Sequence, residues 1–176
     1  MPSSVLSFVQ KMVICCVAVL TMSLSATAAS AAPLDTPIPH LAASSSQAVT
    51  KPDPGAELAD FAQQYVGTPY RWGGASPAGF DCTGFVMWVY SQFGVSMPHN
   101  EAGQMASGER VSADDLQPGD VLIFANTYRA GLSHTGIYVG DGEFVHAADE
   151  RHGVTVSALW DSYWGPRLVG ATRAIS

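Results

Sequence analysis

Three residues in this 176-residue sequence have types and spacing suited to covalent chemistry: Cys82, His134 and His146. A thiol beside an imidazole can act as a nucleophile whose proton the imidazole removes, and a polar group on the far ring nitrogen can hold that imidazole in place. In such an arrangement Cys82 is the nucleophile, His134 the general base and His146 the group that orients His134. The same residue types also suit a metal-binding module, because one Cys and two His leave a fourth zinc position open. An inert reading fits as well. A Cys on a buried apolar stripe with two satisfied histidines is what ordinary burial frequencies favour.

Whether the three can meet depends on the elements that carry them. Phe85, Val86, Val89 and Phe93 follow Cys82 at i+3, i+4, i+7 and i+11, and Gly94 ends the run. This spacing predicts a helix over 82–93, with Cys82 in its first turn on the core-facing stripe. Free N–H groups and the positive end of the helix dipole are there. They are expected to lower the thiol pKa by about a unit or more from about 8.5. His134 opens a strand-like run and His146 lies near the end of the next, with Gly140-Asp141-Gly142 between them. A two-residue loop would set His146 opposite Ile137 and put the imidazoles on opposite faces. A three-residue loop, Gly142 left-handed, sets His146 opposite Gly136 on the same face as His134. The three-residue loop is the expectation.

Asp53 suits a helix cap and Pro54 the first helical position, with Leu58, Phe61, Ala62 and Tyr65 forming a stripe and Gly67 ending it. A Gly- and Pro-rich loop, 67–81, separates this helix from the next. Residues 112–116 can make one capped turn, and Pro118-Gly119-Asp120 signals another. Strand-like runs follow at 121–125, 134–139, 143–148, 154–157 and 168–175. Helices first and strands afterwards predict an α+β domain, a mostly antiparallel sheet packed against N-terminal helices.

Five segments carry a more specific signal. They are 67–74 (GTPYRWGG), 80–84 (FDCTG), 116–124 (LQPGDVLIF), 133–147 (SHTGIYVGDGEFVHA) and, more loosely, 160–173 (WDSYWGPRLVGATR). In order and spacing the chain resembles the NlpC/P60 family of cell-wall cysteine peptidases over about residues 55–175. The resemblance implies a papain-like core, no cofactor, and hydrolysis of peptidoglycan stem peptides, at a D-glutamyl–diaminopimelate or D-glutamyl–lysine bond or at stem crosslinks. It implies Cys82 as nucleophile, His134 as base and His146 as third member. Tyr70 would line the site and help with the oxyanion or substrate, together with the Cys82 backbone N–H. Asp81 precedes the nucleophile and serves at least as a helix cap.

Departures are local. Thr83 stands where Ser is common. In 97–104 (MPHNEAGQ), His99 replaces an Arg and Glu101 a Ser of the family text, which bears on substrate preference. His40, His99 and His152 read as surface or loop histidines, and Trp160 and Trp164 as core rather than a sugar platform. A papain-like amidase or acyltransferase acting on another acyl substrate remains an alternative, because thioester chemistry serves transfer as well as hydrolysis.

Composition bounds the rest. Lys+Arg number 8 and Asp+Glu 15, a net charge of −7, which argues against nucleic acid as a partner. Residues 12–24 are apolar, follow Lys11 and precede small residues, as in a cleaved export signal over 1–31. Its removal takes away Cys15, Cys16 and Lys11. Cys82 is then the single thiol, and the charge is 7 − 15 = −8. Residues 32–53, Pro- and Ser-rich, read as a linker, and 54–176 as the catalytic domain. The expectation is a secreted or periplasmic, wall-associated monomer without a stable membrane anchor.

Overall fold

The computed structural model describes residues 53–176, so the expected signal peptide, and the linker apart from Asp53, lie outside the described residues. Helix α1 spans Pro54–Gln63, with Asp53 as its cap accepting from the Gly55 N–H and Pro54 in the first turn. A small hairpin follows, β1 (Ala75–Ser76) with β2 (Gly79–Phe80). Helix α2 spans Cys82–Gln92 and α3 spans Glu101–Met105. Then come β3 (Glu109–Val111), β4 (Val121–Ala125), β5 (Leu132–Gly140), β6 (Glu143–Ala147), β7 (Val154–Ala158) and β8 (Leu168–Arg173). A short 3₁₀ turn, Gly165–Arg167, precedes β8. The larger sheet has the order β3-β8-β4-β5-β6-β7, with every neighbouring pair antiparallel. This is the expected α+β architecture.

Both faces of the central strands are covered, and β4 is accordingly a continuous apolar run rather than an alternating one. Val121, Ile123, Ile137 and Val145 pack against Leu58 of α1 and Phe85, Val86 and Val89 of α2. The opposite face carries Leu122, Phe124, Phe144 and Ala171, packed with Leu159, Trp164 and Leu168. Helices thus cover one face of the sheet, and the segment leading into β8 covers the other.

The β5–β6 hairpin has the expected histidine register by a different route. Ile137 pairs with Val145 and Tyr138 with Phe144, which sets His146 against Gly136, where an added Cβ would meet the His146 Cβ. The expected three-residue loop is corrected, however. Gly140 pairs with Glu143, leaving a two-residue loop whose members, Asp141 and Gly142, both have positive φ. Val139 is an extra residue in β5, and this bulge restores the register that a two-residue loop alone would have shifted by one.

Candidate active site

The site is built first at the start of α2. The Asp81 side chain caps the helix by accepting from the Gly84 N–H at 2.6 Å, and the same oxygen accepts from the Thr83 hydroxyl at 3.1 Å. His99 Nε2 hydrogen-bonds that oxygen at 2.9 Å, and the other carboxylate oxygen accepts from the Gly73 N–H at 2.9 Å. One carboxylate therefore ties the 73–74 loop, the helix start and the 97–100 segment together. Gly84 must be glycine, because a Cβ there would collide with the Gly74 carbonyl. Gln104 Nε2 adds a brace by donating to the Thr83 and Pro98 carbonyls at 2.8 and 3.0 Å.

Cys82 is the first residue of α2, as expected, and is buried at 4% exposure. It lines a cleft of about 310 Å³ together with Tyr70, Trp72, Glu101, Tyr128 and Arg129. The expected lowering of its pKa is overturned. Burial pushes the thiol up to about 12, and the negative charges of Asp81 and Glu101 act in the same direction. Backbone hydrogen bonds from Thr135 and Thr83 pull the other way and are outweighed. Tyr70 is raised well above the usual phenol range by burial, then by the neighbouring Cys82 and Asp81, so its hydroxyl stays protonated and can donate.

The histidines come from the sheet. His134 on β5 and His146 on β6 are buried, and His134 Nε2 and His146 Nδ1 are 2.7 Å apart. His146 Nε2 lies 3.0 Å from the Ser157 hydroxyl on β7. Burial holds His134 down to about 3 and His146 well below the ordinary imidazole value, so both rings are neutral. Phe144 stacks on His146 with ring centres 4.5 Å apart, and Trp164 lies 5.0 Å from His134 and 4.9 Å from His146.

The imidazole pair and the apolar stripe of α2 lie on opposite faces of the sheet. The apolar stripe of α2 packs on the Ile123–Ile137 side of the sheet, whereas both imidazoles pack with Phe124, Phe144 and Trp164 on the other. The thiol reaches β5 at the backbone of Thr135, the residue after His134. The helix thus brings Cys82 to the strand from one side, while the histidine pair is held from the other.

His99 is an exposed loop residue, as expected, and its ring is also tied to Asp81. Glu101 is buried and receives Arg129 Nη2 at 3.1 and 3.2 Å. Arg129 and Ser157 gave no sequence signal, because loop 126–131 and an edge strand bring them in from remote positions. Trp164 is half-buried against the histidines, but Trp160, expected in the core, is 56% exposed. Among the described residues no group of three or more His, Cys, Asp or Glu side chains is arranged to hold a metal ion. Both His146 nitrogens already have partners, so the three-ligand metal reading finds no support in the geometry.

A family model described as "NlpC/P60 family" matches residues 67–173. The chain belongs to the NlpC/P60 family. It is 43% identical over 114 residues to a gamma-DL-glutamyl hydrolase of Bacillus subtilis, which covers 64% of this chain and 27% of that protein. It is 42% identical over 112 residues to a probable endopeptidase p60 of Listeria seeligeri, covering 64% of this chain and 21% of the relative. The chain therefore spans about a quarter of the length of these relatives. Among solved structures, the NlpC/P60 domain of the peptidoglycan hydrolase SagA superposes with a TM-score of 0.59 at 32% identity, over 68% of this chain and 97% of that domain. The NlpC/P60 match spans α2 and every strand of the sheet, and so includes Tyr70, Asp81, Cys82, His134 and His146. Among the described residues no helix is long and apolar enough to cross a membrane.

Proposed function

We propose that the chain is an exported cysteine peptidase that hydrolyses peptidoglycan stem peptides through an acyl-enzyme at Cys82. One observation carries the reading: a buried thiol at a helix start, lining a cleft, reaches the strand beside a neutral, hydrogen-bonded His134–His146 pair. The names of the relatives, a hydrolase of gamma-DL-glutamyl bonds and an endopeptidase, and the peptidoglycan hydrolase SagA support the substrate class.

The thiol proton passes to His134 Nδ1, the nitrogen not engaged by His146, as sulfur forms a bond to the scissile carbonyl carbon. The resulting oxyanion receives the Cys82 backbone N–H and the Tyr70 hydroxyl. His134 returns the proton to the amine nitrogen as the C–N bond breaks. Water, activated by the same imidazole, adds to the thioester, and the C–S bond breaks to release the acid and regenerate the thiol. Because burial keeps the resting thiol protonated, His134 acts as general base during attack and does not store a thiolate. The D-glutamyl–diaminopimelate or D-glutamyl–lysine bond is the proposed target, and stem crosslinks are the other. Asp81 holds the cleft loop, and Glu101 with Arg129 supplies the charge pattern that a stem meets.

The test is incubation of purified muropeptides with the wild type and with Cys82→Ala, followed by mass spectrometry, which names the bond. Cleavage by wild type alone is expected, with inhibition by iodoacetamide and none by EDTA. Undiminished cleavage by Cys82→Ala rejects the mechanism. Products extended by an acyl acceptor in place of water identify the transferase alternative.

A further inference from the structure

We propose that Ser157 is a positioning residue: as acceptor for His146 it fixes the proton order along the His146–His134 chain and leaves His134 Nδ1 free to take the Cys82 proton. The inference rests on the cysteine-peptidase reading and adds a fourth member to its machinery, on a different strand.

A neutral imidazole has one N–H and one lone pair, so two such rings in series can be ordered in only two ways. In the outward order, His134 Nε2–H donates to His146 Nδ1, and His146 Nε2–H donates to the Ser157 hydroxyl. In the inward order, Ser157 donates to His146 Nε2, His146 Nδ1–H donates to His134 Nε2, and His134 is left with its proton on Nδ1. Both orders satisfy the 2.7 Å and 3.0 Å contacts. Only the outward order leaves a base for the thiol. The inward order gives the wrong tautomer at the nitrogen that must work.

Ser157 selects between them by where it sits. It lies on β7, the edge strand of the sheet, directly opposite Phe144 and diagonal to His146. It is half-buried, whereas His146 is fully buried. A half-exposed hydroxyl can turn its own proton toward water while accepting from the ring. The buried ring has no such alternative, and an N–H left without an acceptor is costlier to bury than an unused lone pair. Removing the hydroxyl therefore changes the balance in a stated direction. In Ser157→Ala the outward order orphans a buried N–H and the inward order orphans only a lone pair, so the chain should turn inward.

The test is ¹⁵N-histidine NMR of the full chain at neutral pH, together with kinetics on purified muropeptides. In the wild type, His134 and His146 should both carry the proton on Nε2. Ser157→Ala should move the pair toward the Nδ1–H form and lower kcat by roughly 10²-fold with KM unchanged, the low end of what a positioned base contributes. Ser157→Thr keeps a hydroxyl on a side chain suited to a strand and should restore both. A wild-type His134 protonated on Nδ1 overturns the proposal without any variant. So does a Ser157→Ala protein with unchanged nitrogen spectra, or one with altered spectra and unchanged kcat. The nitrogen spectra need no substrate, so they stand if Cys82→Ala shows the peptidase reading to be wrong. If hydrolysis depends on Cys82 but is indifferent to Ser157, this inference alone fails.

Discussion

Cys82 and His134 both rest neutral because folding takes them out of water, raising the thiol to about 12 and lowering the imidazole to about 3. Backbone hydrogen bonds at Thr135 and Thr83 pull the thiol down, but burial, followed by the nearby Asp81 and Glu101 carboxylates, outweighs them. The histidines make this visible in stability. An unfolded His titrates near 6.5, so between about 6.5 and about 3 the unfolded chain holds a proton on His134 that the folded chain does not. Stability therefore rises with pH across that window and is lost as pH falls through it, by roughly 1 kcal/mol per pH unit for each such proton. His146 is shifted in the same direction, also by burial. Thermal denaturation should show Tm falling steadily below pH 6.5, with a shallower slope in His146→Gln. A flat profile would mean that the rings are charged or hydrated in the folded state.

At the scale of elements, the start of α2 depends on its cap. Asp81 gathers the Gly84, Thr83, His99 and Gly73 groups, so its loss does more than fray a helix. Asp81→Ala should lower stability by about 1 kcal/mol for the cap and lower kcat/KM as the 73–74 loop is released. Asp81→Asn keeps one acceptor oxygen and with it the Gly84 bond, but its NH₂ cannot accept from Gly73. It should recover most of the Tm and much less of the activity. Equal recovery of both would assign Asp81 to helix capping alone. A bulge at Val139 and a positive-φ pair at Asp141-Gly142 deliver the register on which the histidine pair depends.

Across the whole molecule, β8 is inserted between β3 and β4, and an ion pair between half-buried Arg173 and buried Asp120 fixes its end. Arg173 Nε and Nη2 each donate to Asp120 at 2.8 Å, and Asp120 also accepts from the Gln117 N–H at 2.8 Å. Asp120 is fully buried, so Arg173→Ala leaves an unpaired charge inside the protein, at a cost of about 3 kcal/mol. Urea unfolding should show that loss, and the Asp120→Ala/Arg173→Ala double variant should lose less than the sum of the single changes. Strict additivity would mean that the two side chains do not act as a pair.

Local order was legible because it is written in local pattern. Asp53-Pro54 starts α1, Cys82 starts α2, and 121–125 forms a strand, since caps, apolar spacing and β-rich runs depend on near neighbours. The short α3 and the β1–β2 hairpin were not legible, because five residues and two pairs of residues carry too little periodicity. A thiol at a helix start and two spaced histidines came from the sequence as well. Tertiary structure alone decided which sheet face the imidazoles occupy, that Arg129 meets Glu101 at the cleft, and that Ser157 contacts His146. These depend on contacts between residues far apart in sequence, and on how much water each group loses when the strands close around it.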